Sequence, residues 1–150
     1  MRVQLTEHDL RAIEAHGEGA YPDEGAGFLL GRTHGETCAV EVVLPLENQR
    51  EAEARHNRYE LAPADFLQAE LDAARRGLDL VGVFHSHPDH PARPSEFDRE
   101  HALPHFCYLI TSVVGGQAGA THAWRLRGDR AAFDEDALVV IKTVEDGGEV

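Results

Sequence analysis

With 150 residues, 42% of them hydrophobic and 27% charged, the chain has the size and balance of one ordinary globular domain, which excludes a disordered or fibrous protein. No apolar run approaches the roughly 20 residues needed to cross a bilayer as a helix, and the stretch Met1–Asp9 lacks the apolar core of a signal peptide. The 14 Lys and Arg against 27 Asp and Glu give a net charge of −13, which repels a phosphate backbone and argues against nucleic acid as a partner.

Thr6 is placed to begin a helix, with Glu7 and Asp9 in its first turn and Leu10 and Ile13 three apart; Gly17 and Gly19 are expected to end it. A glycine-rich approach, Tyr21 to Gly27, leads into Phe28-Leu29-Leu30, a short buried strand closed by Gly31. Ala39–Leu46, rich in valine, predicts another strand, and residues 47–58 a charged loop facing solvent or substrate. Pro63 suits the first turn of a second helix, with Phe66, Leu67, Leu71 and Ala74 expected on its buried face and Gly77 as a left-handed cap. Strands are expected over Leu78–Phe84, Phe106–Ser112 and His122–Leu126, with a helix over Ser95–His101. Ala132–Val144 fits strand or helix equally. These elements predict one α/β or α+β domain over residues 1–144, built on a mixed sheet, with a frayed tail at 145–150. Cys38 and Cys107 read as reduced, packed thiols of a cytoplasmic protein, a disulfide between them being left open.

The chemistry concentrates in Gly82–Asp98. An apolar strand ending in His85-Ser86-His87 sends both imidazoles from one face of the sheet, a simple way to hold two nitrogens about 2 Å from one metal ion. A lone histidine there would be an ordinary structural residue. Two at this spacing, followed by His90 and by Asp89, Glu96 and Asp98, favour a metal site.

Two resemblances compete for the third ligand. His85-Ser86-His87-Pro88-Asp89-His90 is similar to the His-x-His-x-Asp-His run of metallo-β-lactamase-like enzymes, which would use Asp89. His85-x-His87 followed by Ser95 and Asp98 resembles the core motif of JAMM (MPN-plus) metallopeptidases, which would use Asp98. The first class needs a longer chain with two stacked sheets, and its motif runs into a glycine pair and a helix; here Pro88, Pro91 and Pro94 stiffen an extended loop. The upstream Pro22-Asp23-Glu24-Gly25-Ala26-Gly27-Phe28-Leu29-Leu30-Gly31 also resembles an early JAMM segment, although Ala26 stands where many prokaryotic members carry a cysteine. The chain is therefore identified as resembling the JAMM family, small single-domain prokaryotic type.

That resemblance implies a curved mixed sheet flanked by helices, the cytidine-deaminase-like MPN/JAMM fold. It implies one zinc ion per chain held by His85, His87 and Asp98, with Glu24 carrying a proton between water and leaving amine. Ser95 has two compatible readings: Ser95-Glu96-Phe97-Asp98 has the form of a capping box, and the matching serine in the family stabilises the oxyanion. Ser86, on the opposite face from the ligands, is expected to pack or to make a supporting hydrogen bond. Asp89 and His90 are expected at the loop surface, and His101, His105 and His122 as structural residues. The implied activity is hydrolysis of a peptide or isopeptide bond at the Gly-Gly tail of a ubiquitin-like or sulfur-carrier protein, with the tail added along a sheet edge. No membrane partner is expected and a homodimer is left open. The rival readings are a zinc hydrolase of small molecules and a non-catalytic MPN scaffold.

Overall fold

The structure is a computed structural model and describes residues 1–47 and 61–142. Most of the expected 47–58 loop and the 145–150 tail lie outside the described residues. Along the chain run β1 (Arg2–Thr6), α1 (Glu7–Ala20), β2 (Ala26–His34), β3 (Thr37–Leu46), α2 (Pro63–Arg75), β4 (Asp79–Pro88), α3 (Glu96–His101), β5 (Cys107–Val114), β6 (Gln117–Leu126) and β7 (Phe133–Ile141). The strands close into a barrel in the order β1-β3-β2-β4-β5-β6-β7. The β1/β3, β1/β7 and β4/β5 pairs are parallel and the others antiparallel. The sheet is thus mixed and the fold α+β, as expected, and its strands close on themselves. β4 is paired with β2 as far as His85 and with β5 as far as Pro88.

Both faces of the central strands are covered, which explains their continuous apolar runs. Leu29, Phe84 and Leu109 join Val3, Leu5, Val40 and Ile13 of α1 in one buried cluster. Their neighbours Phe28, Val83 and Tyr108 join Phe106, Leu126 and Ala69 of α2 in another.

Two helices differ from expectation. Thr6 does cap α1, its Oγ1 accepting the Asp9 N–H at 3.1 Å, but the helix runs through Gly17 and Gly19 to Ala20. Gly17 is a point of close approach: a Cβ there would lie 3.1 Å from Ser86 Cβ and 3.2 Å from Val113 Cγ2. The packing that this permits offsets the roughly 1 kcal/mol helical cost of glycine. In α2 the buried residues are Ala69 and Ala73, with Phe66 against Phe28 at 5.1 Å between ring centroids, while Leu67 and Leu71 are exposed. Small alanines let the helix sit close to the sheet, so side-chain size outranks hydrophobicity in choosing the face. Gly77 closes α2 as expected, at φ 69°, with the Leu78 N–H donating to the Ala73 carbonyl. The ambiguous segment after Ala132 is strand β7, held between β6 and β1.

Candidate metal centre

The expected strand before the histidines extends through them: β4 runs to Pro88, and His85 pairs with Ala26 of β2 and Ile110 of β5. The His85 imidazole therefore leaves a backbone flanked by strands on two sides, and that of His87 a backbone paired with Ser112 of β5. Each is buried, and their Nε2 atoms lie 3.2 Å apart. Asp98 comes from the first turn of α3, whose N-cap is Ser95. Its Oδ1 lies 3.3 Å from His85 Nε2 and its Oδ2 3.1 Å from His87 Nε2.

This trio fits a zinc ion. Tetrahedral coordination with bonds of about 2.0–2.1 Å places ligand atoms about 3.3 Å from one another; here the two Nε2 atoms are 3.2 Å apart, and the carboxylate reaches His85 through Oδ1 at 3.3 Å and His87 through Oδ2 at 3.1 Å. Two imidazole nitrogens and one carboxylate oxygen also match the three-ligand pattern of catalytic zinc. The far nitrogen of His87, Nδ1–H, donates to the Pro91 carbonyl at 2.9 Å. That bond orients the ring and leaves Nε2 facing the cluster, where it could act as a ligand.

The electrostatics are those of a gathered ligand set. Burial pushes the Asp98 carboxyl up, but the charge and hydrogen bond of His85, the hydrogen bond of His87 and the Ser95 amide together hold it well below the ordinary carboxylate range. Burial pushes His87 down; Asp98, the Pro91 carbonyl and the charge of Glu24 outweigh it and raise the ring above its ordinary value.

A cleft of about 480 Å³ opens over the trio, lined by Glu24, His87, His90, Pro91, Arg93, Ser95, Phe97 and Asp98. Glu24 and Ser95 therefore line the same space as His87 and Asp98. Asp89 does not join them. It stands at φ 59° and accepts hydrogen bonds from the Tyr21 hydroxyl and the Gly115 amide, and the described donor group is His85, His87 and Asp98. His90 is exposed, as expected, and lines the cleft. His101 bonds to the Phe97 carbonyl and His122 to Glu135, both structural contacts, while the His105 ring meets Phe106 edge-on. Arg93, Phe97 and the Pro91 carbonyl were not singled out from sequence. Arg93 and Phe97 sit inside the motif segment, which was the available signal; a backbone carbonyl leaves none.

Residues 6–127 match the family described as prokaryotic homologs of the JAB domain. The chain belongs to this family. The JAMM resemblance drawn from the motif is thereby borne out. Among relatives of this JAB-domain chain, a Thermus thermophilus protein named probable TtuB-protein conjugate cleaving protease is 34% identical over 109 residues, covering 73% of this chain and 69% of that one. A Haloferax volcanii protein named desampylase is 36% identical over 104 residues, covering 69% and 70%. The solution structure of a Desulfitobacterium hafniense protein superposes with a TM-score of 0.81 at 30% identity, covering 95% of each chain. A JAB1/MPN domain protein from Archaeoglobus fulgidus, at 19% identity with a TM-score of 0.55 and coverage of 94% and 99%, shows the shared fold. Among the described residues of this JAB domain, no helix is long and apolar enough to cross a membrane.

Proposed function

We propose that this JAB domain, contained within residues 1–144 and of the cytidine-deaminase-like type, is a zinc-dependent metallopeptidase or isopeptidase. Its substrate is a peptide or isopeptide bond at the Gly-Gly tail of a ubiquitin-like or sulfur-carrier protein. The observation that carries the proposal is the convergence of His85, His87 and Asp98 at zinc-like separations beneath a cleft that Glu24 and Ser95 also line.

His85, His87 and Asp98 would hold one zinc ion per chain. When bound, the ion supplies a Lewis acid that polarises the scissile carbonyl and brings the pKa of a water toward about 7. Glu24 takes the proton of the attacking water and returns it to the leaving nitrogen. The Ser95 hydroxyl donates to the carbonyl oxygen as charge develops on it, an interaction of roughly 3 kcal/mol for comparable donors. Pro91 holds His87 in orientation through its Nδ1–H.

Relatives named for conjugate cleavage and desampylation support the substrate class. Cys38 and Cys107, thiols 3.5 Å apart at Sγ, suit a reducing cytoplasm. The test is incubation of the zinc-loaded protein with sulfur carriers and ubiquitin-like proteins extended beyond Gly-Gly or conjugated through it. Release of the tail, abolished by Glu24→Gln, is expected. Intact substrates across several carriers overturn the substrate assignment, and cleavage of small amides alone would favour the small-molecule reading.

A further inference from the structure

Glu24 lies in the connection between α1 and β2, outside any helix or strand. Loops of this kind are the more mobile parts of a fold, yet a misplacement of about 1 Å at a reacting group costs on the order of a hundredfold in rate. The structure ties this connection down on both sides of Glu24, and both ties run to the chain segment that bears the histidines.

The residue after Glu24 is locked by two bonds. The Gly25 N–H donates to Ser86 Oγ at 2.8 Å, and the Ser86 N–H donates to the Gly25 carbonyl at 2.9 Å. Ser86 is buried between His85 and His87 in sequence and faces the other side of β4. Strand alternation therefore lets three consecutive residues supply a donor, a clamp and a donor.

Three residues before Glu24, the Tyr21 hydroxyl donates to Asp89 Oδ2 at 2.7 Å. Asp89 is itself fixed: its Oδ1 accepts the Gly115 N–H at 2.9 Å, and its own N–H donates to the Val113 carbonyl at 2.7 Å. The left-handed backbone at Asp89, a conformation that aspartate tolerates better than most residues, turns the carboxylate toward Tyr21 and away from the donor trio.

We propose that Ser86 and Asp89 are positioning residues that hold Glu24 in a fixed relation to His85 and His87, Ser86 through Gly25 and Asp89 through Tyr21. The proposal rests on the reading of Glu24 as the proton carrier. Asp89 imitates a metal ligand in the sequence, but in this arrangement it anchors the base instead of the ion.

The experiment combines steady-state kinetics with amide hydrogen exchange on the zinc-loaded full chain. Ser86→Ala and Tyr21→Phe are each expected to lower kcat about tenfold with KM within about twofold and zinc still one per chain. Asp89→Asn, which keeps a carbonyl oxygen for the Tyr21 hydroxyl, falls less than Asp89→Ala, and Tyr21→Phe adds little in the Asp89→Ala background because both remove the same bond. In Ser86→Ala the Gly25 amide exchanges at least tenfold faster while the global unfolding transition persists. Unchanged kcat in Ser86→Ala and Tyr21→Phe, with Glu24→Gln inactive, overturns this proposal and leaves the function intact. Full activity in Glu24→Gln overturns the role of Glu24 instead, and the exchange rate of Gly25 then still decides whether the clamp exists. A fall in kcat that merely tracks lost zinc also overturns the positioning role.

Discussion

The Ser95 N–H donates to Oδ2 of Asp98 at 2.8 Å while the Asp98 N–H donates to Ser95 Oγ at 3.1 Å. This reciprocal cap starts α3, and the same Oδ2 that closes it lies 3.1 Å from His87 Nε2. One carboxylate oxygen thus serves the helix and the donor cluster together. Since the Ser95 hydroxyl accepts a bond in the cap, its own hydrogen remains available to a substrate oxygen.

The two roles of Ser95 separate under substitution. Ser95→Ala is expected to cost about 1 kcal/mol in urea unfolding, whereas Ser95→Gly costs only a few tenths. Both remove the hydroxyl, so both should lower kcat about a hundredfold or more. Activity that falls only as far as stability does would reduce Ser95 to a cap.

The choice of third ligand is open to a direct zinc measurement. Asp98→Ala should abolish stoichiometric zinc, because it removes the oxygens closest to His85 and His87. Asp89→Ala should retain one zinc per chain, since its carboxylate is bonded to Tyr21 and Gly115. Zinc lost with Asp89→Ala and kept with Asp98→Ala would reverse the assignment.

Protons and zinc compete for His87. Its folded-state pKa is raised above the ordinary value of about 6.5, so zinc affinity should fall as pH drops through that raised value. In the metal-free chain the sign reverses. The raised His87 contributes stability that is full below about pH 6.5 and is lost as pH rises through its folded value. Asp98, held low, contributes stability that is full above about pH 3.9 and is lost as pH falls further. Zinc titrations and metal-free urea melts over this range check both slopes; a zinc affinity independent of pH would contradict the first.

Glycines of similar appearance should respond in opposite ways. A Cβ on Gly82 would lie 2.1 Å from the Cys107 carbonyl oxygen, directly between β4 and β5. Gly82→Ala is therefore expected to destabilise by about 1–3 kcal/mol and to weaken zinc binding by displacing the strand that bears His85. At Gly19 in α1 an added Cβ meets nothing within 4 Å, and Gly19→Ala should stabilise by about 0.5 kcal/mol. Chemical denaturation of the two variants measures both.

What could be read from sequence was local. The alternation of His85 and His87, the Ser95 cap with Asp98 three residues on, and the left-handed Gly77 each involve neighbours within a few positions, and each stands in the structure as expected. Features that depend on distant packing were not legible. β1 offers only Val3 and Leu5 as apolar residues and becomes a strand because β3 and β7 flank it. Leu67 and Leu71 look like the buried face of α2 until the close seat of Ala69 and Ala73 turns them outward. The Tyr21–Asp89 bond joins residues 68 positions apart, and no spacing in the sequence announces it.

Closure of the barrel by β1 and β7 also has a consequence for how the chain is made. Arg2 lies across from Thr37 on one side and from Ala137 on the other. A chain leaving the ribosome can join β1 to β3 early, but the opposite side of β1 must wait, unpaired, until β7 has emerged. Strand pairing over such distances is slow, and a waiting strand edge invites association with other nascent chains. The histidine strand is synthesised well before that last partner arrives. Synthesis stalled before β7 should therefore yield an aggregation-prone intermediate that already carries every residue of the proposed zinc site.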